Sequence, residues 1–396
     1  MRTSPGATAR RLLSHLIREG PTHRADLSRG LGVSRTTVTN LAAELTEASV
    51  LVPLDRGGPV TAATSPDRPQ LKQQLGISAR RGVLVSVVCR MTSTAIVVGT
   101  LDGRLLRSSG QDCPRDQTGH ERMRRAGVLL DELLTGCEVE PTEVLRLHLA
   151  VNTQCDRESG EVIAEQAAGP WRGVNPKQEA SRWTPAPVII ENTARLAGLA
   201  EYHALSAPRP RSLVYVHLSW GITMGQVVDG EIVTGSHGGA GELGHVSIDP
   251  MGPPCACANR GCLMLYTGLD VITERIQAVL GPGTGIQDAV EQSCHACSTI
   301  FADAGETVGR ALAMVCNVVD PDAIVLGGEL ATAGSELSDA VWGSLRRRAL
   351  PLVTRTLDLS LATTAADPCA AGVAALRAMR SDAALVDELV GAALQD

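Results

Sequence analysis

The chain has 396 residues, 44% of them hydrophobic, which is enough for a core-forming body and at least one further domain. Phe301 is the single Phe and Gly occurs 40 times, a composition that excludes an aromatic-rich β-sandwich and points to an α/β protein cored by Ala, Val, Leu and Ile. Net charge is −7, but residues 1–50 carry seven arginines against four acids, a net +3 that leaves −10 on the remainder, as expected when one end meets a polyanion.

No apolar run reaches the ~20 residues of a membrane span, and no apolar segment with a small-residue cleavage site opens the chain. The expectation is a cytoplasmic protein with no membrane partner. Its eleven cysteines are then reduced thiols or metal ligands rather than disulfides.

The first predicted element is a helix from Ala9 to Glu19, where Leu12, Leu13, Leu16 and Ile17 recur at helical spacing until Gly20-Pro21. A second begins near Thr22 as N-cap, turns Ala25 and Leu27 inward and closes at Gly30-Leu31-Gly32. A third opens at Ser34, with Val38, Leu41 and Leu45 on one stripe. The turn from Gly30 to Val33 has the spacing that lets a second helix brace a third across a major groove, so the segment reads as a helix-turn-helix for double-stranded DNA.

The third helix exposes Arg35, Thr36, Thr37, Thr39 and Asn40. Arg can be bidentate to guanine and Asn to adenine, and Thr reaches phosphates or a thymine methyl. Ser34 presents backbone N–H groups to a phosphate, and Arg24 completes the candidate set on the preceding helix. The run Ser49 to Leu54, the break at Gly57-Gly58-Pro59 and the tail to Leu71 read as a β-hairpin wing whose tip carries Arg56 or Arg68 toward a minor groove. An ordinary three-helix bundle with a solvated polar face is the competing reading. The helix-turn-helix spacing, the positive charge and the strand-like run weigh against it.

The strongest local chemistry is His245 followed by Cys255, Cys257 and Cys262, one imidazole and three thiols within eighteen residues rich in Gly and Pro. Zinc takes four such ligands tetrahedrally, and a closed set with no open position is structural. By contrast, Cys294-His295-Ala296-Cys297 puts two thiols about one helical turn apart with no second pair nearby, and reads as core or surface thiols.

With these motifs in hand, the sequence resembles the ROK family (repressors, open reading frames and sugar kinases) over nearly its whole length. Gly241-Glu242-Leu243-Gly244-His245 with the cysteine cluster is similar to the family signature, Glu191-Asn192-Thr193-Ala194 to a Glu-Asn-Asp-Ala run, and Leu101-Asp102-Gly103 and Ile324-Val325-Leu326-Gly327-Gly328 to its first hairpin and nucleotide-side strand. The resemblance implies an α/β, two-lobed actin-like or hexokinase-like body behind a mainly α winged helix-turn-helix. It implies boundaries at 1–72 for the DNA-binding domain with its wing, 73–81 for a linker, 82–193 for the small lobe and 194–396 for the large lobe, with the C-terminal helix able to pack back on the small lobe. Strands are expected through Val83–Val88, Ala95–Leu101, Leu147–Val151, Val188–Ile190, Leu213–Leu218, Gly225–Val228 and Ile324–Leu326.

The departures from the family decide the expected function. Aligned back from Leu101-Asp102-Gly103, the family's Asp-x-Gly-x-x-Thr hairpin reads Val88-Cys89-Arg90-Met91-Thr92, so Val88 replaces the Asp and Arg90 fills the space a close phosphate approach requires. The catalytic base of the family falls at Thr193, a neutral hydroxyl that cannot take a proton near neutral pH. Of the family's sugar-holding groups Asn192, Glu242 and His245 remain, while a final Glu is Met264, which suits a sugar-like or less polar effector. Trp220 and Met224 are expected in the lobe core rather than on a ligand. The resemblance with these departures implies a transcriptional regulator, a repressor, acting as a homodimer or homotetramer on an operator, with a catalytically inactive, zinc-containing sensor body. The alternative is an active ATP-dependent sugar kinase with an accessory N-terminal domain.

Overall fold

The apolar stripe of the first helix, α1 (Pro5–Glu19), buries Ala9, Leu12, Leu13 and Leu16. Against it pack α2 (Arg24–Leu31), through Leu27 and Leu31, and α3 (Arg35–Glu47), through Val38, Leu41, Ala42 and Leu45. The computed structural model describes residues 5–55, 58–59, 74–163, 169–364, 367 and 369–394. Thr22 is not the cap of α2. Thr22–His23 form a short strand, β1, that pairs antiparallel with β4 (Gln74–Ile77), and the Thr22 hydroxyl donates to the Gly20 carbonyl. That partner lies some fifty residues away, so no local pattern announces it. Ala25, expected inside, is exposed.

β2 (Leu51–Asp55) pairs antiparallel with both β3 (Gly58–Pro59) and β4, giving a small sheet in the order β1-β4-β2-β3. Residues 56 and 57, between β2 and β3, and the tail from 60 to 73 lie outside the described residues, and with them the sequence-predicted Arg56 and Arg68.

The body is one topology used twice. In the first sheet β5 (Val83–Cys89), β6 (Ser93–Thr100) and β7 (Leu105–Asp112) form an antiparallel meander, and β8 (Val144–Val151) and β9 (Val188–Asn192) extend it in parallel beyond β5. The second repeats the arrangement with β10 (Ser212–Leu218), β11 (Ile222–Val228), β12 (Glu231–Ile232), β13 (Ala323–Gly327) and β14 (Asp358–Leu361). Central strands are buried and mostly apolar, with Ser86 of β5 and Arg146 and His148 of β8 as buried exceptions, because helices cover them: α4 (Gly119–Gly136), α5 (Pro176–Ala180) and α6 (Thr193–Ala204) in the first half. The second half has α7 (Met264–Thr267), α8 (Leu269–Leu280), α9 (Ile286–Gln292), the long α10 (His295–Val319), α11 (Ser335–Arg348) and α12 (Pro351–Thr354) around its own core. Among the described residues no helix is long and apolar enough to cross a membrane.

After β14 the chain returns. α13 (Ala370–Arg380) lies against α6, β5 and β6, and α14 (Ala383–Leu394) packs on α1 and α3. Leu385, Val386, Leu389 and Val390 of α14 therefore share one apolar core with Leu12, Leu16, Val38 and Leu41. Arg146 of β8, itself buried, holds Glu388 bidentately at 2.9 and 2.7 Å, and Arg10 pairs with Asp387. The N-terminal unit is tied to the body by its C-terminal helix.

Beside Arg146's strand position lies His148, buried with its Nδ1 unpartnered among the described residues; burial pulls its pKa from 6.5 to about 4. Above pH 6.5 folded and unfolded chains both carry it neutral; below that only the unfolded chain takes the proton, so stability falls as pH drops from 6.5 toward 4. Denaturant titrations at pH 7 and pH 5 should show wild type losing about 2 kcal/mol more than His148→Gln. Equal losses in the two proteins would remove His148 as the cause.

Candidate functional site

Three regions bring chemistry together. On the first, Ser34 caps α3: its Oγ accepts from the Thr37 N–H at 3.0 Å and lies 2.8 Å from the Thr37 hydroxyl. The Thr39 hydroxyl donates back to the Arg35 carbonyl at 2.9 Å. Arg35, Thr36 and Asn40 are exposed and, among the described residues, their side chains have no partner. Arg24 is half-buried with an unpartnered Nε. Of the candidates on α3, the free polar groups are thus Arg35, Thr36 and Asn40, while Ser34, Thr37 and Thr39 first serve the helix. The arginines of α1 are also spoken for: Arg10 by Asp387, Arg11 by the Leu31 carbonyl at 2.7 Å and Arg18 by Glu19.

The second region is the cluster His245, Cys255, Cys257 and Cys262, whose ligand atoms all lie within 4.8 Å of one another. Two antiparallel bridges, Ser247 with Cys262 and Pro254 with Arg260, fold the segment into a tight double turn, and the Cys255 N–H donates to the Asn259 carbonyl at 2.8 Å. Gly261 is obligatory there: its φ is +61°, and a Cβ would stand 1.7 Å from the Asp249 carbonyl oxygen. Cys255 and Cys262 are buried, Cys257 is exposed and His245 half-buried. The Cys257 and Cys262 sulfurs are 3.6 Å apart and His245 Nδ1 is 3.7 Å from the Cys255 sulfur. A tetrahedron with metal–sulfur bonds of about 2.3 Å has edges near 3.8 Å, so these two pairs of soft or borderline donors are spaced as an ion would require, within a set of four that could close around one.

The loop that delivers His245 is anchored from α6. Buried Arg195 pairs with buried Glu191 at 2.5 Å and donates to the Ala240 carbonyl at 2.7 Å. Gly241 follows with φ +97° and its Cα against the Met224 carbonyl, where a Cβ would come within 1.9 Å. The Gly-Glu-Leu-Gly-His run is thereby threaded between β11 and α6.

The third region is the cleft between the lobes, a cavity of about 500 Å³. Asn192 and Thr193 line it, as do Arg90, His217, Glu329 and Ala371. Asn192 caps α6, its Oδ1 accepting from the Ala194 N–H at 2.8 Å, and Thr193 is the first residue of that helix. Burial holds the His217 imidazole below its ordinary pKa; Glu329 opposes this and Arg90 adds to it. Glu242 and His245 do not line this cavity, so of the three ligand candidates Asn192 alone is on its wall, and His245 turns its Nδ1 to the thiols instead. Trp220 lines the cavity while also packing on the large-lobe core, and Met224 packs on that core.

Two arginines that the sequence pattern did not single out shape this cleft. Arg122, fully buried on α4, donates to the carbonyls of Arg90, Met91, Pro114, Arg115 and Gln117, fixing the hairpin that carries Arg90. The one available signal was a charged residue on the apolar face of a helix, next to Met123. Arg115 reaches across the cleft, bidentate to Asp270 at 2.9 Å and 4.6 Å above the Trp220 ring. Both partners are about half exposed, 48% and 67%, so this clasp contributes no more than about 1 kcal/mol and can open.

Comparison with known proteins gives these regions a family. Residues 86–379 match the ROK family model. The chain is 24% identical over 418 residues to the DNA-binding transcriptional repressor Mlc of Escherichia coli K12, covering 98% of this chain and 96% of the relative. It is 27% identical over 256 residues to a glucokinase of Halalkalibacterium halodurans, covering 60% and 77%. The fold matches the crystal structure of a ROK family transcriptional regulator, a homologue of the E. coli Mlc protein, with a TM-score of 0.79 at 23% identity over 98% and 99% of the two chains. The doubled sheet, the Gly-Glu-Leu-Gly-His loop with its cysteines and the family match over three quarters of the sequence agree: the chain belongs to the ROK family.

Proposed function

We propose that the protein is a DNA-binding transcriptional regulator, a repressor, that acts as a homodimer or homotetramer and whose kinase-like body no longer transfers phosphate. The observation that carries this reading is α3, a braced helix with Arg35, Thr36 and Asn40 free on its outer face. The likeness to a DNA-binding repressor over 98% of the chain supports it. Footprinting of the purified protein across its genome tests it, and an absence of protected duplex sites would count against it.

The cleft is the proposed effector site. Ala371, on its wall, belongs to α13, which continues into the α14 that shares a core with α1 and α3. A ligand that prefers one lobe arrangement can bias the DNA-reading unit along this route. The effector is sugar-like or less polar, met by Asn192, with Glu242 and His245 joining if the cleft closes. The ion of the cysteine cluster is a structural zinc. It would be held by His245, Cys255, Cys257 and Cys262, whose donor types and spacings suit it.

The kinase alternative draws on the glucokinase likeness. Against it stand Thr193 where a base is required and the Arg90 side chain in the cavity. A coupled assay with ATP and a panel of hexoses should show no turnover above background. Thr193→Asp alone should not restore it while Arg90 remains. Metal-dependent phosphorylation by the unmodified protein would reverse the reading.

A further inference from the structure

The segment Cys294-His295-Ala296-Cys297 belongs to none of these regions. In the structure it is the start of α10, with Cys294 as the N-cap residue and Cys297 in the first turn. The two sulfurs are 2.7 Å apart, and Cys294 Sγ accepts from the Cys297 N–H at 3.2 Å. The two thiols differ in surroundings. Cys297 is fully buried in the large-lobe core, whereas Cys294 is half-buried and flanked by exposed Gln292, Ser293, His295 and Ala296.

We propose that Cys294 and Cys297 form a reversible dithiol–disulfide couple that exchanges with low-molecular-weight disulfides, Cys294 attacking and Cys297 resolving. The Cys294 thiolate attacks one sulfur of R–S–S–R; the new Cys294–S–S–R bond forms as the R–S–S–R bond breaks, and RS⁻ leaves. Cys297 then gives its proton to that leaving thiolate and attacks Cys294 Sγ, expelling the second RS⁻, which takes a proton from solvent once the first step has consumed the thiolate of Cys294. Two electrons pass from the pair to the disulfide and two RSH result.

The geometry favours these roles. An N-cap thiolate meets the helix's unpaired N–H groups and the positive end of its dipole, and its hydrogen bonds to the Cys297 residue hold the Cys294 thiol below its ordinary pKa. Burial pushes the Cys297 thiol up, as suits a resolving group that reacts only once its partner sulfur is bonded. The thiols of Cys89, Cys155 and Cys316, by contrast, are pushed up to about 12 by burial. Because both sulfurs sit within one helical turn, closing the bond leaves the rest of α10 in place. Exchange is therefore not expected to alter metal binding or the DNA-reading unit.

The test uses the full-length, metal-loaded protein equilibrated in buffers of reduced and oxidised glutathione, acid-quenched, alkylated and mapped by peptide mass. The expected result is reversible loss of two hydrogens from the peptide spanning 294–297, with metal content unchanged. Iodoacetamide at neutral pH should modify Cys294 on the order of tenfold faster than the buried thiols. Cys297→Ala should trap glutathione on Cys294, and Cys294→Ser, which keeps an N-cap oxygen, should leave Cys297 unmodified. A 294–297 peptide that stays reduced while the cysteines at 255–262 oxidise overturns the proposal. So does Cys294 alkylation no faster than that of buried thiols. Both outcomes are read on wild type, so neither depends on a variant that folds.

Discussion

Cys262→Ser should lose essentially all bound metal and a large part of the stability of the second lobe. Cys262 is fully buried, its strand position bridges Ser247, and the next residue, Leu263, enters the large-lobe core. Leu243, two residues before His245, enters the same core. The ion would therefore close a loop whose two ends are both core anchors. Structural zinc in small domains binds with about 10–16 kcal/mol; even a fraction of that, passed to a loop already half-organised by backbone bridges, is several kcal/mol. Wild type should carry about one zinc per chain by elemental analysis, and Cys262→Ser close to none with a melting temperature lower by on the order of 10 °C. Chelation of wild type should reproduce the shift. Cys89→Ser is the control: that thiol is as buried but distant from the cluster, so it should lose stability and keep its metal. A Cys262→Ser protein with full metal and an unshifted melt would dismiss the centre.

What was readable in the sequence follows from how local each cause is. The metal cluster could be found because its four donors fall within eighteen residues. Strands Val83–Cys89 and Ala323–Gly327, which the family resemblance implied as Val83–Val88 and Ile324–Leu326, are near-continuous apolar runs because both of their faces are covered. β7 and β14 were missed because they are edge strands whose residues are mostly half-exposed or exposed, so Leu105–Asp112 looks polar. β1 was read as part of a helix because its partner is remote. Residue counts gave α1 its positive charge but could not show that Arg10 meets Asp387, nearly the whole chain away. The same limit hid the Arg115 clasp and the shared core of α14 with α1 and α3, each a contact between distant segments.

Arg10, Arg11 and Arg18 each engage a partner within the chain, two of them in exposed ion pairs, so α1 offers phosphates little unpaired cation, and on the proposed function recognition rests on α3. Arg35→Ala should abolish specific binding. Arg35 is exposed in the first turn of α3, beside a helix cap supplied by Ser34 and above a core made by Val38, Leu41 and Leu45, so its removal leaves cap and core intact. Alanine costs a helix nothing at such a position. A bidentate arginine–guanine contact contributes about 1–3 kcal/mol; used once in each half-site of a paired operator, the loss is about 2–6 kcal/mol, or roughly thirty-fold to more than ten-thousand-fold in affinity. Fluorescence anisotropy on a footprinted duplex would read it, with a scrambled duplex reporting the weak binding that remains through phosphates. Asn40→Ala should relax preference at a different base pair, and Arg10→Ala should barely change the salt dependence, because Arg10 faces Asp387 rather than solvent alone. Undiminished affinity of Arg35→Ala for the same site, in a protein that melts like wild type, would take the recognition role from α3 and leave the N-terminal unit as an assembly element.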